Sequence, residues 1–256
     1  MATSLTPLGI VAAVAVAAAP AAPQQVVGGI NIDPAEVAAG MFYAGATVHV
    51  SAVVPVGAGV AMVCVGESHP LKLKKKGKAL GVIWMNVADV SFDAVPDLYL
   101  LHTSDRLDGL AAPAILEELA VGYDALEARA GPGPGAEALF GELTRLKGRD
   151  GLWGVDERGV ALQPAGDGMA LATTDFALPP EAPPGAYRVL VYAFRDGAGE
   201  VVGEGEVRVR QVGLAGVISS LATEHGLLYG ALAALVAVVV GLATGVIFGL
   251  GSKGGH

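Results

Sequence analysis

Of 256 residues, 53% are hydrophobic and only 16% charged, more apolar than a soluble globular chain is unless part of it lies in lipid. The formal net charge of -9 excludes the dominant basic surface that phosphate-backbone binding needs, so no nucleic acid partner is expected. A single cysteine, Cys64, excludes an intramolecular disulfide and leaves stability to the core.

The chain opens on an apolar run, Leu8 to Ala19, followed by small residues and by Pro20 and Pro23. At about 12 apolar residues it is too short to cross ~30 Å of hydrocarbon, and its small-residue end suits signal-peptidase cleavage. Residues 1–22 therefore read as a signal peptide. No Lys or Arg precedes the run, which leaves retention as an uncleaved anchor open.

Residues 23–212 read as an extracytoplasmic domain with period-two patterning. Thr47 to Val54, Gly59 to Val65, Leu71 to Lys74 and Ala79 to Val87 are β-rich runs divided by Pro-Val-Gly, Ser-His-Pro and Lys-Gly-Lys turns. Val90 to Phe92, Leu98 to His102, Val160 to Gln163, Met169 to Phe176, Tyr187 to Phe194 and Val201 to Arg210 add further strands, the last two joined by Arg195-Asp-Gly-Ala-Gly199 as a hairpin turn. Some eight or nine short strands at this spacing predict a mainly β fold, an immunoglobulin-like β-sandwich, with barrel closure left open. A helical insertion at about 108–147 interrupts them. Asp108 caps a helix with Pro113 in its first turn and Leu116, Leu119, Tyr123 and Leu126 on one face, and a second helix runs from Ala136 to Leu146.

A juxtamembrane segment, 213–226, leads to a charge-free stretch, 227–250, that a helix would extend to ~36 Å. It predicts one C-terminal transmembrane helix, with Tyr229 at one interface and Lys253 in a short cytoplasmic tail, 251–256. The topology is single-pass type I in an inner (cytoplasmic) membrane, with the bulk of the chain periplasmic. Along this helix Ala233, Ala237, Gly241, Gly245 and Gly249 recur every fourth residue, a small-residue row that lets helix backbones approach and reads as an association face.

Candidate chemistry is sparse. Lys72, Lys74, Lys75, Lys76 and Lys78 gather five of the sixteen basic residues into one hairpin, which reads as an anion or partner docking patch or as protection of a sheet edge. Cys64, His69 and His49 offer the residue types of a blue-copper centre, but no Met closely follows His69. Ser68 beside His69 suggests a hydrolase only until strand geometry is considered, because adjacent side chains point to opposite faces. No catalytic residue, metal ligand set or cofactor site is assigned. Trp84 and Trp153 read as core or sandwich-edge residues.

The combination Lys74-Lys-Lys-Gly77, Gly81-Val-Ile-Trp-Met-Asn86, Phe92, Pro96-Asp-Leu-Tyr99, Ser104 and Leu178-Pro-Pro-Glu-Ala-Pro-Pro-Gly-Ala-Tyr187 resembles the proteobacterial "putative transmembrane protein" family first described in alphaproteobacteria. The resemblance extends to Leu228-Tyr-Gly230 and covers most of the chain. It supplies no catalytic residue, and it implies genes beside sulfite-exporter-type permeases and thus a transporter-accessory role. The expectation is a non-enzymatic, membrane-anchored periplasmic binding or accessory protein, with another membrane protein or a second copy as partner. A copper or small-ligand carrier is the alternative, and a hydrolase comes third.

Overall fold

The computed structural model describes residues 29–79, 83–131, 137–213, 222–223 and 225–251. The expected signal peptide lies outside them, as do most of the juxtamembrane segment and the tail beyond Gly251.

Alternating apolar residues make two sheets. β1 (Ile30–Asp33) and β3 (Ala46–Pro55) join β10 (Met169–Leu178) and β9 (Ala161–Gly166) in the order β1-β3-β10-β9, antiparallel throughout. β2 (Glu36–Ala39), β4 (Gly59–Val65), β7 (Tyr99–Thr103), β8 (Trp153–Glu157), β11 (Gly185–Arg195) and β12 (Ala198–Gln211) form the larger sheet, in the order β2-β12-β11-β4-β7-β8. Its outer pairs, β2 with β12 and β7 with β8, are parallel.

The sheets share one core. Val48, Val50, Val54 and Phe176 of the smaller sheet are almost fully buried, as are Val60, Met62, Val189 and Val191 of the larger. His102 of β7 reaches across to Thr174 of β10, with Nδ1 2.6 Å from the hydroxyl. On one side β1 and β12 close the gap: a Cβ at Gly205 would meet Ile32 Cδ1 at 2.5 Å. A side chain here would have to displace Ile32, and the sheets curl toward a half-barrel.

Among the described residues, β5 (Ser68–Ala79) and β6 (Ile83–Pro96) pair only with each other. The short runs expected between Leu71 and Phe92 are thus two long strands of one ribbon, lengthened because each continues a strand of the larger sheet. β1, β2 and β8 have no counterpart among the expected strands. Each is four or five residues long, too short for alternation to stand out.

The helical insertion is present but differently divided. α1 (Leu107–Leu110), α2 (Pro113–Glu118) and α3 (Tyr123–Ala130) replace the expected single helix, and α4 (Glu137–Arg149) follows. The break falls where Ala120 and Gly122 take positive φ, 56° and 100°, which no helix continues. Asp108 is inside α1 rather than its cap. Pro113 does open α2. Phe140 of α4 and Tyr123 of α3 pack on Trp153, with ring centroids 5.8 and 6.2 Å away, so Trp153 is a core residue.

α5 (Gly226–Gly251) covers the expected spanning segment. Side chains are described for 226, 227 and 229–245, all of them exposed. Among the described residues no helix is long and apolar enough to cross a membrane. A helix thus covers the expected segment, and the expected transmembrane span is not supported among the described residues.

Candidate functional site

The two faces of the larger sheet are told apart by His102, which points at the smaller sheet. Strand register then fixes the rest. Cys64 lies opposite Leu100 and Val189 on the inner face, while Val65 lies opposite Tyr99 and Arg188 on the outer face. Over that outer face α2, α3 and the base of the β5–β6 ribbon leave a cleft of about 850 Å³.

Val63, Val65, Leu190 and Tyr192 make its floor, with Leu119 and Leu126 closing from the helices. Tyr99 fixes the wall: its hydroxyl accepts from Gly122 N at 2.8 Å and donates to Ala120 O at 3.3 Å. That pair of bonds holds the α2–α3 break against the sheet. Burial pushes the Tyr99 phenol above its usual range, so it stays neutral. The rim carries both signs, Arg129 and Arg188 against Glu67, Glu118 and Glu206. Glu206 is paired with Arg208. Arg129 donates to the backbone carbonyl of Glu118 at 2.9 Å.

The residues singled out from sequence lie elsewhere. Lys72 and Lys74 are exposed on β5, opposite Ser91 and Asp89. Lys75, Lys76 and Lys78 are on the same strand, with side chains outside the described residues, as is that of Trp84. Only Ser68, at the root of the ribbon, lines the cleft. Ala233, Ala237, Gly241 and Gly245 sit exposed on α5, and no described residue outside the helix lies within 4 Å of a Cβ at Gly241 or Gly245. Gly249 is on the same helix.

The copper grouping is not assembled. Cys64 is buried in the sheet-to-sheet core, and burial pushes its thiol up to about 12, far from the thiolate a metal needs. His49 is on the outer face of the other sheet, 2.7 Å from Asp175, and His69 is at the ribbon root, 3.2 Å from Asp97. Among the described residues no group of three His, Cys, Asp or Glu is placed to hold a metal ion. Ser68 has no hydrogen bond to His69 among the described residues, as strand parity requires.

Sequence reasoning missed the cleft entirely. Its floor reads as ordinary strand, and its wall depends on a helix break at Ala120. Gly122 was the available signal, since a glycine inside an expected helical face marks a break.

Residues 29–249 match the family described as "Putative transmembrane protein (Alph_Pro_TM)", and the chain belongs to that family. No curated protein and no solved structure matches it.

Proposed function

We propose that this protein is a membrane-attached binding module: an immunoglobulin-type sandwich facing away from the cytoplasm, tethered by α5, that docks a segment of a membrane transporter in the cleft over its larger sheet. The observation that carries the reading is α5 itself. Over 26 residues it has no acidic residue in its first turn and no basic residue in its last, and Leu232, Leu235, Val238 and Leu242 are half or more exposed. An apolar surface of that extent needs lipid or protein to cover it.

Two features support the immunoglobulin type. The order β1-β3-β10-β9 facing β2-β12-β11-β4-β7-β8 corresponds to the A-B-E-D and A′-G-F-C-C′ sheets of such domains, with β8 added at the edge. The Tyr187 hydroxyl, near the start of β11, donates to the Pro183 carbonyl just upstream, which is the geometry of a tyrosine corner.

A polar rim of both signs over an apolar floor suits an extended polypeptide better than a small ion. The resemblance implies exporter-type permeases as gene neighbours, and that expectation points to a transporter as the source of the segment. The test is co-purification of the full chain in mild detergent, read by mass spectrometry. Arg129→Gln with Arg188→Gln is expected to reduce recovery of the partner at least fivefold while the membrane fraction stays constant. Equal recovery would remove the cleft from the reading.

A further inference from the structure

The loop from β2 to β3 departs from the pattern of the domain. Met41 is 65% and Phe42 93% exposed, more than any other large apolar residue of the described β domain. The loop is held on both sides. Tyr43 N donates to Gly40 O at 3.1 Å, and the Tyr43 ring packs against the core. Gly45 takes φ +99° with its Cβ position 2.8 Å from Leu178 O, a conformation and a gap open only to glycine. Met41 and Phe42 are thus carried on a fixed tip.

The position of that tip matters as much as its exposure. β2 runs parallel to β12, with Ala39 level with Gln211. Val212 N then donates to Ala39 O at 2.9 Å, and a Cβ at Gly40 would lie 3.9 Å from Val212 Cγ2. Val212 is itself 38% exposed. Met41, Phe42 and Val212 therefore share the end of the domain from which the chain departs toward α5. Residues 214–225 add at most about 45 Å of extended chain, and this end is the part of the domain nearest the helix along the chain.

We propose that Met41 and Phe42 form a second lipid contact, entering the headgroup and acyl boundary of the membrane that holds α5 and so fixing the tilt of the sandwich on it. The inference rests on the reading of α5 as the membrane attachment. Lipid is the occupant the chemistry favours. The tip is exposed and has no charged residue from Ala38 to Val48, and Glu36 and Arg210, on the two strands that lead to it, neutralise each other at 2.9 Å. Such a tip matches the 5–10 Å depth of interfacial insertion, and it lies beside the tether.

The experiment places single nitroxide labels in the full chain, in a Cys64→Ala background, in phosphatidylcholine and phosphatidylglycerol vesicles. Positions 42, 56 and 238 are labelled. Val56 is exposed at the turn after β3, at the opposite end of the sandwich. Labels at 42 and 238 are expected to collide at least threefold more with oxygen, relative to a water-soluble nickel chelate, than the label at 56. A label at 42 as open to the chelate as that at 56, with 238 in lipid, overturns the inference and leaves the attachment standing. A label at 42 shielded from both reagents marks a protein contact and also overturns it. A label at 238 open to the chelate removes the attachment and the inference with it. Should the Cys64→Ala background misfold, Phe42→Trp in the native chain is expected to shift to the blue and to be quenched by brominated lipid, whereas Val56→Trp is not. Equal quenching of the two rejects the proposal.

Discussion

The β domain and α5 are built from the same side chains and dispose of them in opposite ways. Val48, Val50, Val54 and Val60 are 0–1% exposed between the sheets, whereas Val236, Val238, Val239 and Val240 are 53–59% exposed on the helix. Burying one such side chain is worth about 1.5–3 kcal/mol, so the helix leaves open an amount comparable to the ~5–15 kcal/mol net stability of a domain. The difference teaches that apolar content alone does not say which solvent a segment prefers. The arrangement does: period two supplies one face for a partner sheet, while a helix apolar on all sides has no polar face to give to water.

The strongest way to break the comparison is to charge the helix. Leu235→Arg with Val239→Arg costs about 2.5–3.5 kcal/mol per Arg if these positions sit in lipid. The chain is expected to leave the floating fraction in vesicle flotation, while unfolding of the domain, followed by circular dichroism, stays put. An unchanged floating fraction would show that attachment does not run through α5.

The converse substitution acts on the core. Phe176 is fully buried and lies 4.6 Å from the His102 ring, so Phe176→Ala is expected to cost about 3–5 kcal/mol. The urea midpoint should fall while flotation is unaffected. A loss near 1 kcal/mol would mean that the two sheets do not depend on this contact.

A smaller effect separates the sealed core from the wet surface by pH. Thr174 donates its hydroxyl to Gly159 O at 2.9 Å, so it accepts from His102 Nδ1–H. Burial holds the His102 pKa below its ordinary 6.5, with Asp156 and Asp175 pulling the other way. The unfolded histidine takes its proton first. The contribution is therefore complete above pH 6.5 and is lost as pH falls toward the lower folded value. Tm should fall between pH 7.5 and 5.5 in the native chain and fall less in His102→Asn, which keeps a donor near the position of Nδ1. Equal slopes would place the titration elsewhere.

Much of the domain is legible in residue order because its strands are long and one-sided. The expected run from Gly59 to Val65 is β4 without change, and Arg195-Asp-Gly-Ala-Gly199 turns where positive φ at Asp196 and Gly197 allows it. What order alone conceals is pairing at a distance. The parallel ladders of β2 with β12 and β7 with β8 join segments more than fifty residues apart with no local turn to announce them, and the cleft exists only once β4, β11 and α3 are together. The lysine run was conspicuous because charge clusters along the chain, yet it lies off the cleft.

That run gives the last and smallest test, on a part of the molecule that belongs to neither side of the comparison. Lys72 and Lys74 are exposed on a ribbon that, among the described residues, pairs only with itself, so their ammonium groups are solvated and contribute little to the fold. Lys72, Lys74, Lys75 and Lys76 replaced together by Gln should change domain stability by less than about 0.5 kcal/mol. If the ribbon docks an anionic surface, the substitution weakens association with phosphatidylglycerol vesicles by up to about 1 kcal/mol per lysine, and the loss shrinks as salt shortens the screening length. If the lysines only keep the ribbon edges from pairing with other chains, vesicle association is unchanged and the variant instead aggregates at concentrations where the native chain stays dispersed. Flotation and light scattering on the same two proteins, at low and high salt, decide between a docking patch and a guarded edge.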